Sequence, residues 1–378
     1  MDNSKKQKKS IDIYRLIAML LVMWGHLLGT GMFALEIPGI INGTMSKTII
    51  EYNGDFLSAP DMFFYYRLHT QAAVIGVVMF FICTGYLVPM MRERYSRREF
   101  LVNRALRIFP TLWACIAVVG IVVYVSQRIS FSVVQYFTSA LLLQQVFHIV
   151  PVMSLLWTLV IEVVFYFISI FFRKLDKTMI LYGYLATILV GLVYYEYGYS
   201  FFGDFFYNLR FMLFILMGVA IYCDKQEEVF WKRYSTVAIC IVGNLILFQI
   251  NRRVFSDETT YPNFFSQAIP LALIVGLLEL ERVFPVLFDR VPKLLYRLAT
   301  LVFPVFLTHI CCGLTAMYWC SKLGLNRYLV VLIGFVVSFA VAKLISITVE
   351  QYSIRQARKM ILCMQERRSN KSVKFESK

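Results

Sequence analysis

Apolar residues cluster along the chain into runs of about 20, the length an α-helix needs to cross a hydrocarbon core. They fall near 13–35, 70–90, 106–126, 151–172, 178–196, 208–223, 235–250, 263–280, 298–319 and 328–350, which predicts ten membrane helices. A further apolar stretch, 131–150, carries Gln135, Gln144, Gln145 and His148. Positive charge decides how to treat it. With ten spans and the N-terminus inside, Lys5, Lys6, Lys8 and Lys9, the groups 92–107, 173–177, 225–233 and 282–297, and the tail 355–378 all lie on the inner side. That places 28 of the 38 Lys and Arg inside and 8 outside, with Arg15 and Lys343 within spans. An eleventh span would invert every later loop against the positive-inside rule, so 131–150 is expected to be a half helix or interfacial segment at the outer face.

Composition excludes most other classes. Hydrophobic residues make up 59% of the 378 and charged residues only 16%, too apolar for a soluble enzyme, a coiled coil or a disordered chain. The net charge of +15 would suggest nucleic acid in a soluble protein. Here it follows topology, so no nucleic-acid partner is expected. The eight cysteines form no C-x-x-C pair and no metal-ligand spacing, so neither a disulfide framework nor a metal is expected. The first apolar run is too long for a signal-peptide core and should remain as the first helix. The expected organisation is a basic segment over 1–10, an all-helical membrane domain over 11–352 and a basic, solvated tail over 353–378, both termini cytoplasmic and the tail touching anionic lipid. The 36–69 segment, with Asn42, Asn53, Asp55, Asp61 and Arg67, reads either as a lid over a substrate or as a plain connector.

Ionisable groups inside spans are costly, so each is a candidate site. Arg15 and His26 are eleven residues apart, about 20° beyond three turns, and therefore share one face of the first helix. The helix rise separates them by about 16 Å, with Arg15 near the inner surface and His26 about halfway into the membrane. This suits a two-ended ligand, anionic at the cytoplasmic mouth and reactive at depth, with an imidazole matched to proton transfer. Snorkelling of Arg15 and simple packing of His26 are the alternatives. Arg104 and Arg107, three apart at the start of the third span, are placed either to clamp phosphates or to anchor the helix at the inner face. Glu162 buries a carboxylate in the fourth span, where it could orient His26 or form a structural ion pair. His309 follows Pro304, which frees a backbone bond and lets the helix deform around a cavity. Glu350 ends the last span, where Arg355 or another basic group is its simplest partner.

These residues stand in motifs. Arg15 and His26 match R-x10-H; Arg104-x-x-Arg107-Ile108-x-Pro110 matches R-x-x-R-I-x-P; and Phe80-Phe81-Ile82-Cys83-Thr84-Gly85-Tyr86 stands where F-F-x-x-S-G-F/Y is usual. Trp157-Thr158-Leu159 with Glu162, Phe165 and Tyr166 stands for W-S-L-x-x-E-x-x-F-Y, and 303–309 for Y-P-x-Y-L-x-H. Five motifs in order over 11–352 make the chain resemble the acyltransferase-3 family of integral membrane O-acyltransferases. The departures are Thr84, Thr158 and Phe303, and Gln351-Tyr352 after Glu350 in place of a basic residue and proline.

The resemblance implies ten helices in an inner (plasma) membrane of a bacterium, moving an acyl group, usually acetyl, from cytoplasmic acyl-CoA to a hydroxyl of a carbohydrate or lipid-linked glycan outside. Arg15, Arg104 and Arg107 are then expected to bind the phosphates of acetyl-CoA. His26 is expected to act as base, or less simply as acyl carrier, and Glu162 to orient it. Trp157, Tyr166 and His309 would line the channel. Many relatives carry a fused extracytoplasmic domain; these 378 residues are expected to hold the membrane part alone. A transporter using the same charges as a proton relay, and an exporter of a surface polysaccharide, are the competing readings.

Overall fold

A computed structural model of the chain describes residues 9–28, 59–172, 174–197, 203–255 and 263–376. Its elements are α1 (Lys9–Leu27), α2 (Ala59–Leu68), α3 (Ala72–Arg94), α4 (Arg97–Gln127), α5 (Val133–Ala140), α6 (Leu156–Ser169), α7 (Lys177–Tyr197), α8 (Gly203–Leu209), α9 (Met212–Cys223) and α10 (Phe230–Arg233). They continue as α11 (Ser235–Phe255), α12 (Phe264–Val283), α13 (Pro285–Arg290), α14 (Lys293–Ala299), α15 (Val302–Thr308), α16 (Leu314–Lys322), α17 (Arg327–Ile345) and α18 (Gln351–Glu376). Two π turns interrupt the C-terminal helices, His309–Gly313 between α15 and α16 and Ser346–Glu350 between α17 and α18. Among the described residues there is no strand.

Among the described residues, seven helices are long and apolar enough to cross a membrane. Three shorter apolar helices, Leu156–Ser169, Lys177–Val190 and Ser235–Leu247, occupy the remaining positions that the apolar pattern marked as spans. Fourteen residues of α6 rise only about 21 Å against a hydrocarbon core of about 30 Å. Large apolar side chains such as Ile121, Val125, Ile239 and Leu332 remain exposed, as a lipid-facing surface requires and a water-facing one resists. The multi-pass membrane class read from the sequence therefore holds.

Helix α3 is the centre of the bundle, packed against α1, α9 and α12. Lipid gives helices no hydrophobic reason to associate, so close backbone approach and van der Waals contact must hold them. Gly85 and Gly218 provide that approach. A Cβ on Gly85 would collide with the carbonyl oxygen of Ile215, and one on Gly218 with that of Ile82. Backbone cannot step aside as a side chain can, so Gly85→Ala is expected to cost about 3 kcal/mol. Thermal unfolding of the detergent-solubilised protein should show it as a lowered midpoint; an unchanged midpoint would mean that α3 and α9 can separate freely.

Two segments differ in detail from the sequence expectation, the start of α4 and the tail, while 131–150 is a short helix rather than a span, as expected. Helix α4 begins at Arg97, well before the expected 106, because Ser96 and Glu99 form a capping box: Glu99 N–H donates to Ser96 Oγ and Ser96 N–H to Glu99. The 131–150 stretch is an eight-residue helix, α5, followed by turns that run back to Pro151. The tail expected to be solvated is helical as α18, which packs along α4 and buries Ala357 and Ile361. Of the 36–69 segment, residues 36–58 lie outside the described residues, as do Lys5, Lys6 and Lys8. Its end is helix α2, and Asn263 Nδ2 donates to the carbonyls of Leu68 and His69, tying it to the start of α12.

Candidate active site

Helix α1 is fixed at its N-terminus by a carboxylate from another helix. The backbone N–H groups of Lys9 and Ser10 donate to Glu281 at 2.9 and 3.3 Å, Ser10 Oγ donates to the same group, and Lys9 pairs with Asp289. These bonds satisfy amides that a helix start leaves open and set the register of α1. Arg15 and His26 follow from that register.

His26 is buried at the last turn of α1, and its Nδ1 lies 3.0 Å from Nε2 of His309. The two rings stack with an interplanar angle of 17°. His309 in turn directs Nδ1 at the carbonyls of Val305 and Phe306, 3.1 and 2.9 Å away. Carbonyl oxygens only accept, so Nδ1 of His309 carries its proton and, in the neutral pair, Nε2 accepts. His26 must then donate from Nδ1. Its Nε2 keeps a lone pair, the arrangement a general base needs. The π turn that opens at His309 widens the backbone on the segment following Pro304, in the place where the sequence expected deformation.

About 16 Å along α1 from His26, a cluster of charges gathers around Arg15. Arg15, Arg104 and Glu350 all act electrostatically on Arg107, and Arg15 and Arg104 act on Glu162. The guanidinium of Arg104 lies over Phe100 and Tyr166, 5.9 and 5.4 Å from the ring centroids. Its Nη2 donates to Met91 Sδ and to Asn103 Oδ1, while Nε is buried without a hydrogen-bond partner. Arg92, on α3, also faces Phe100 and has a buried Nε without one.

Glu162 belongs to this cluster rather than to His26. Its carboxylate accepts from Thr84 Oγ1 at 2.6 Å and from Tyr166 Oη at 3.1 Å. The bond from His26 runs to His309 instead, so the expectation that Glu162 orients the imidazole is corrected: a neutral acceptor fixed by two backbone carbonyls occupies that position. For Glu350 it is the other expected partner, a basic group other than Arg355, that supplies the charge. Arg355 donates to the carbonyl of Gln351, and the second π turn brings Glu350 inward, buried under the charges of Arg107 and Arg15. Trp157 packs on Phe81 and Phe211, with ring centroids 6.2 and 4.9 Å away. Tyr166 bridges Glu162 and the Arg104 guanidinium.

Two polar residues had little signal in the sequence. Arg210, at the head of an apolar run, is buried with its guanidinium 3.6 Å from the Tyr207 ring centroid and 5.3 Å from that of Phe211. Arg92 looked like one more inner-face charge. No group of three or more metal-ligating side chains occurs among the described residues.

No curated protein and no solved structure matches the chain. The acyltransferase-3 family model, described as an acyltransferase domain, matches residues 8–347, a range that holds His26, His309 and all three arginines of the charge cluster. With its apolar helices, this makes the chain a multi-pass membrane protein of the acyltransferase-3 family.

Proposed function

We propose that the protein transfers an acyl group, in the first instance acetyl, from cytoplasmic acyl-CoA to a hydroxyl of a carbohydrate or lipid-linked glycan across the membrane. The observation that carries this is the hydrogen-bond chain from backbone carbonyls through His309 to His26, which leaves His26 Nε2 as acceptor at mid-depth. On this reading the chain crosses a bacterial plasma membrane ten times, the three short apolar helices included, with both termini inside. Arg15, Arg104 and Arg107 then face the cytoplasm, where the phosphates of the donor are available. The unfilled Nε donors of Arg104 and Arg92 favour an anion there, since a buried donor without a partner is costly.

In the reaction, His26 Nε2 takes the proton of the acceptor hydroxyl as its oxygen attacks the thioester carbonyl. The C–S bond breaks, the acyl group remains on the acceptor oxygen, and the CoA thiolate recovers the proton from His26. His309 holds the imidazole in the required tautomer and carries no charge of its own in the resting pair. Glu162 and Glu350 lie among the arginines, two carboxyl groups facing the guanidinium groups of Arg15, Arg104 and Arg107.

Acetyl-CoA should stabilise the solubilised protein against heat by mass action, by about 2.7 kcal/mol at a hundredfold excess over its Kd. Arg104→Ala and Arg107→Ala should each cut that stabilisation to about half or less at the same donor concentration. A proton-relay transporter with the same charges has no reason to respond to acetyl-CoA, and absence of any stabilisation, together with no transfer of label in host membrane vesicles, would turn the assignment to that class.

A further inference from the structure

The hairpin between α4 and α6 contains two buried glutamines with side-chain atoms that find no hydrogen-bond partner among the described residues. Gln144 is 2% exposed and neither its Nε2 nor its Oε1 has a hydrogen-bond partner; Gln145 is 7% exposed and its Oε1 has none. A buried carboxamide left open costs free energy on both its donor and acceptor sides, and selection for stability alone would replace it with an apolar residue of similar volume. The surrounding backbone is nonetheless held firmly. Gln135 Nε2 donates to Val150 O, Val152 N–H to Ser139 Oγ, and Ile149 N–H to Gln144 O. Leu142 and His148, on either side of the pair, adopt left-handed backbone angles with φ of 60° and 50°. Such angles persist only where the surroundings impose them.

The depth of the pair follows from α4. Trp113 donates Nε1–H to the carbonyl of Ala140, the last residue of α5. Cys115, about 3 Å further along α4, is in electrostatic range of Cys312, in the π turn that begins with His309. The foot of the hairpin thus stands level with the histidine pair. Between 129 and 155 the chain has no Asp, Glu, Lys or Arg, so apart from His148 the hairpin offers neutral donors and acceptors.

We propose that Gln144 and Gln145 form the acceptor subsite, their carboxamides hydrogen-bonding neutral hydroxyl groups of the acceptor and presenting one of them to His26. The inference rests on the acyl-transfer reading above and adds to it the residues that select the second substrate and the chemical class they take, an uncharged polyhydroxyl group. A subsite of this kind separates binding from folding. Gln144→Leu, and Gln144→Met with its unbranched shape, remove polar atoms that have no partner in the free protein.

The test uses the full-length protein in vesicles of its host membrane, which supply the acceptor, with radiolabelled acetyl-CoA as the probe, and parallel melting of the solubilised variants. Each Gln144 variant should melt above the wild type, keep its stabilisation by acetyl-CoA, and lose acyl transfer by about tenfold, the loss of one hydrogen bond in the transition state. Gln145→Leu should act in the same direction. Transfer at the wild-type rate, or a lowered melting point with activity falling in proportion, would overturn the subsite. A wild type that neither binds acetyl-CoA nor transfers label would instead overturn the reading on which it rests.

Discussion

His26→Ala is expected to lower acyl transfer by about 10²–10⁴-fold, the usual contribution of a positioned general base, while leaving stabilisation by acetyl-CoA intact. The two readouts diverge because His26 and Arg15 lie about 16 Å apart on α1, with Arg104 and Arg107 gathered at the Arg15 end. His309→Ala tests the structural half of the same claim. His309 touches the reaction only through His26, so its removal leaves the base present and frees its ring to rotate or take the other tautomer. A loss of about a hundredfold is expected, since misplacement by an ångström costs that much. The decisive measurement is the double variant. If the two histidines act as one unit, the pair of substitutions should cost little more than His26→Ala alone. Multiplicative losses would show that His309 contributes by some route other than orienting His26.

The sequence revealed the parts of this arrangement that depend on periodicity and little of what depends on tertiary contact. Arg15 and His26 could be placed on one face because eleven residues nearly complete three turns, and the structure holds them on one unbroken helix, α1. Arg104 and Arg107 were legible as a basic pair, but the start of α4 was misplaced because the run of apolar residues begins later than the Ser96–Glu99 capping box. Partner choice was harder. Both His309 and Glu162 lay within apolar spans, and nothing local says which one reaches His26. The π turn that opens at His309 accompanies the one choice, and a second, ending at Glu350, accompanies the burial of that carboxyl. A π turn has no reliable sequence signature beyond a nearby proline, and only His309 had one. The glutamines of 131–150 were noticed as polar interruptions, yet their isolation is a property of the packed hairpin alone.

Substitutions at Arg104 should separate charge from geometry. Arg104→Ala is expected to raise the KM for acetyl-CoA by roughly 10–150-fold, the worth of one charge-assisted hydrogen bond of about 1.5–3 kcal/mol, with kcat little changed. Arg104→Lys keeps the charge, so an anchor that merely meets lipid phosphates would tolerate it. A phosphate clamp would not, because the planar fork lying over Phe100 and Tyr166 cannot be reproduced by a flexible ammonium. Lysine should therefore recover only part of the affinity. The balance of charges adds a second expectation. Arg104 also faces Glu162, so its loss leaves that carboxylate with less compensation, and Arg104→Ala should melt lower than the wild type even without donor. Combining it with Glu162→Gln should restore the melting point but not the KM, since stability depends on the balance and donor binding on the guanidinium itself. If KM recovers together with stability, Arg104 serves the fold and the phosphates are held elsewhere in the cluster, by Arg15, Arg107 or Arg92.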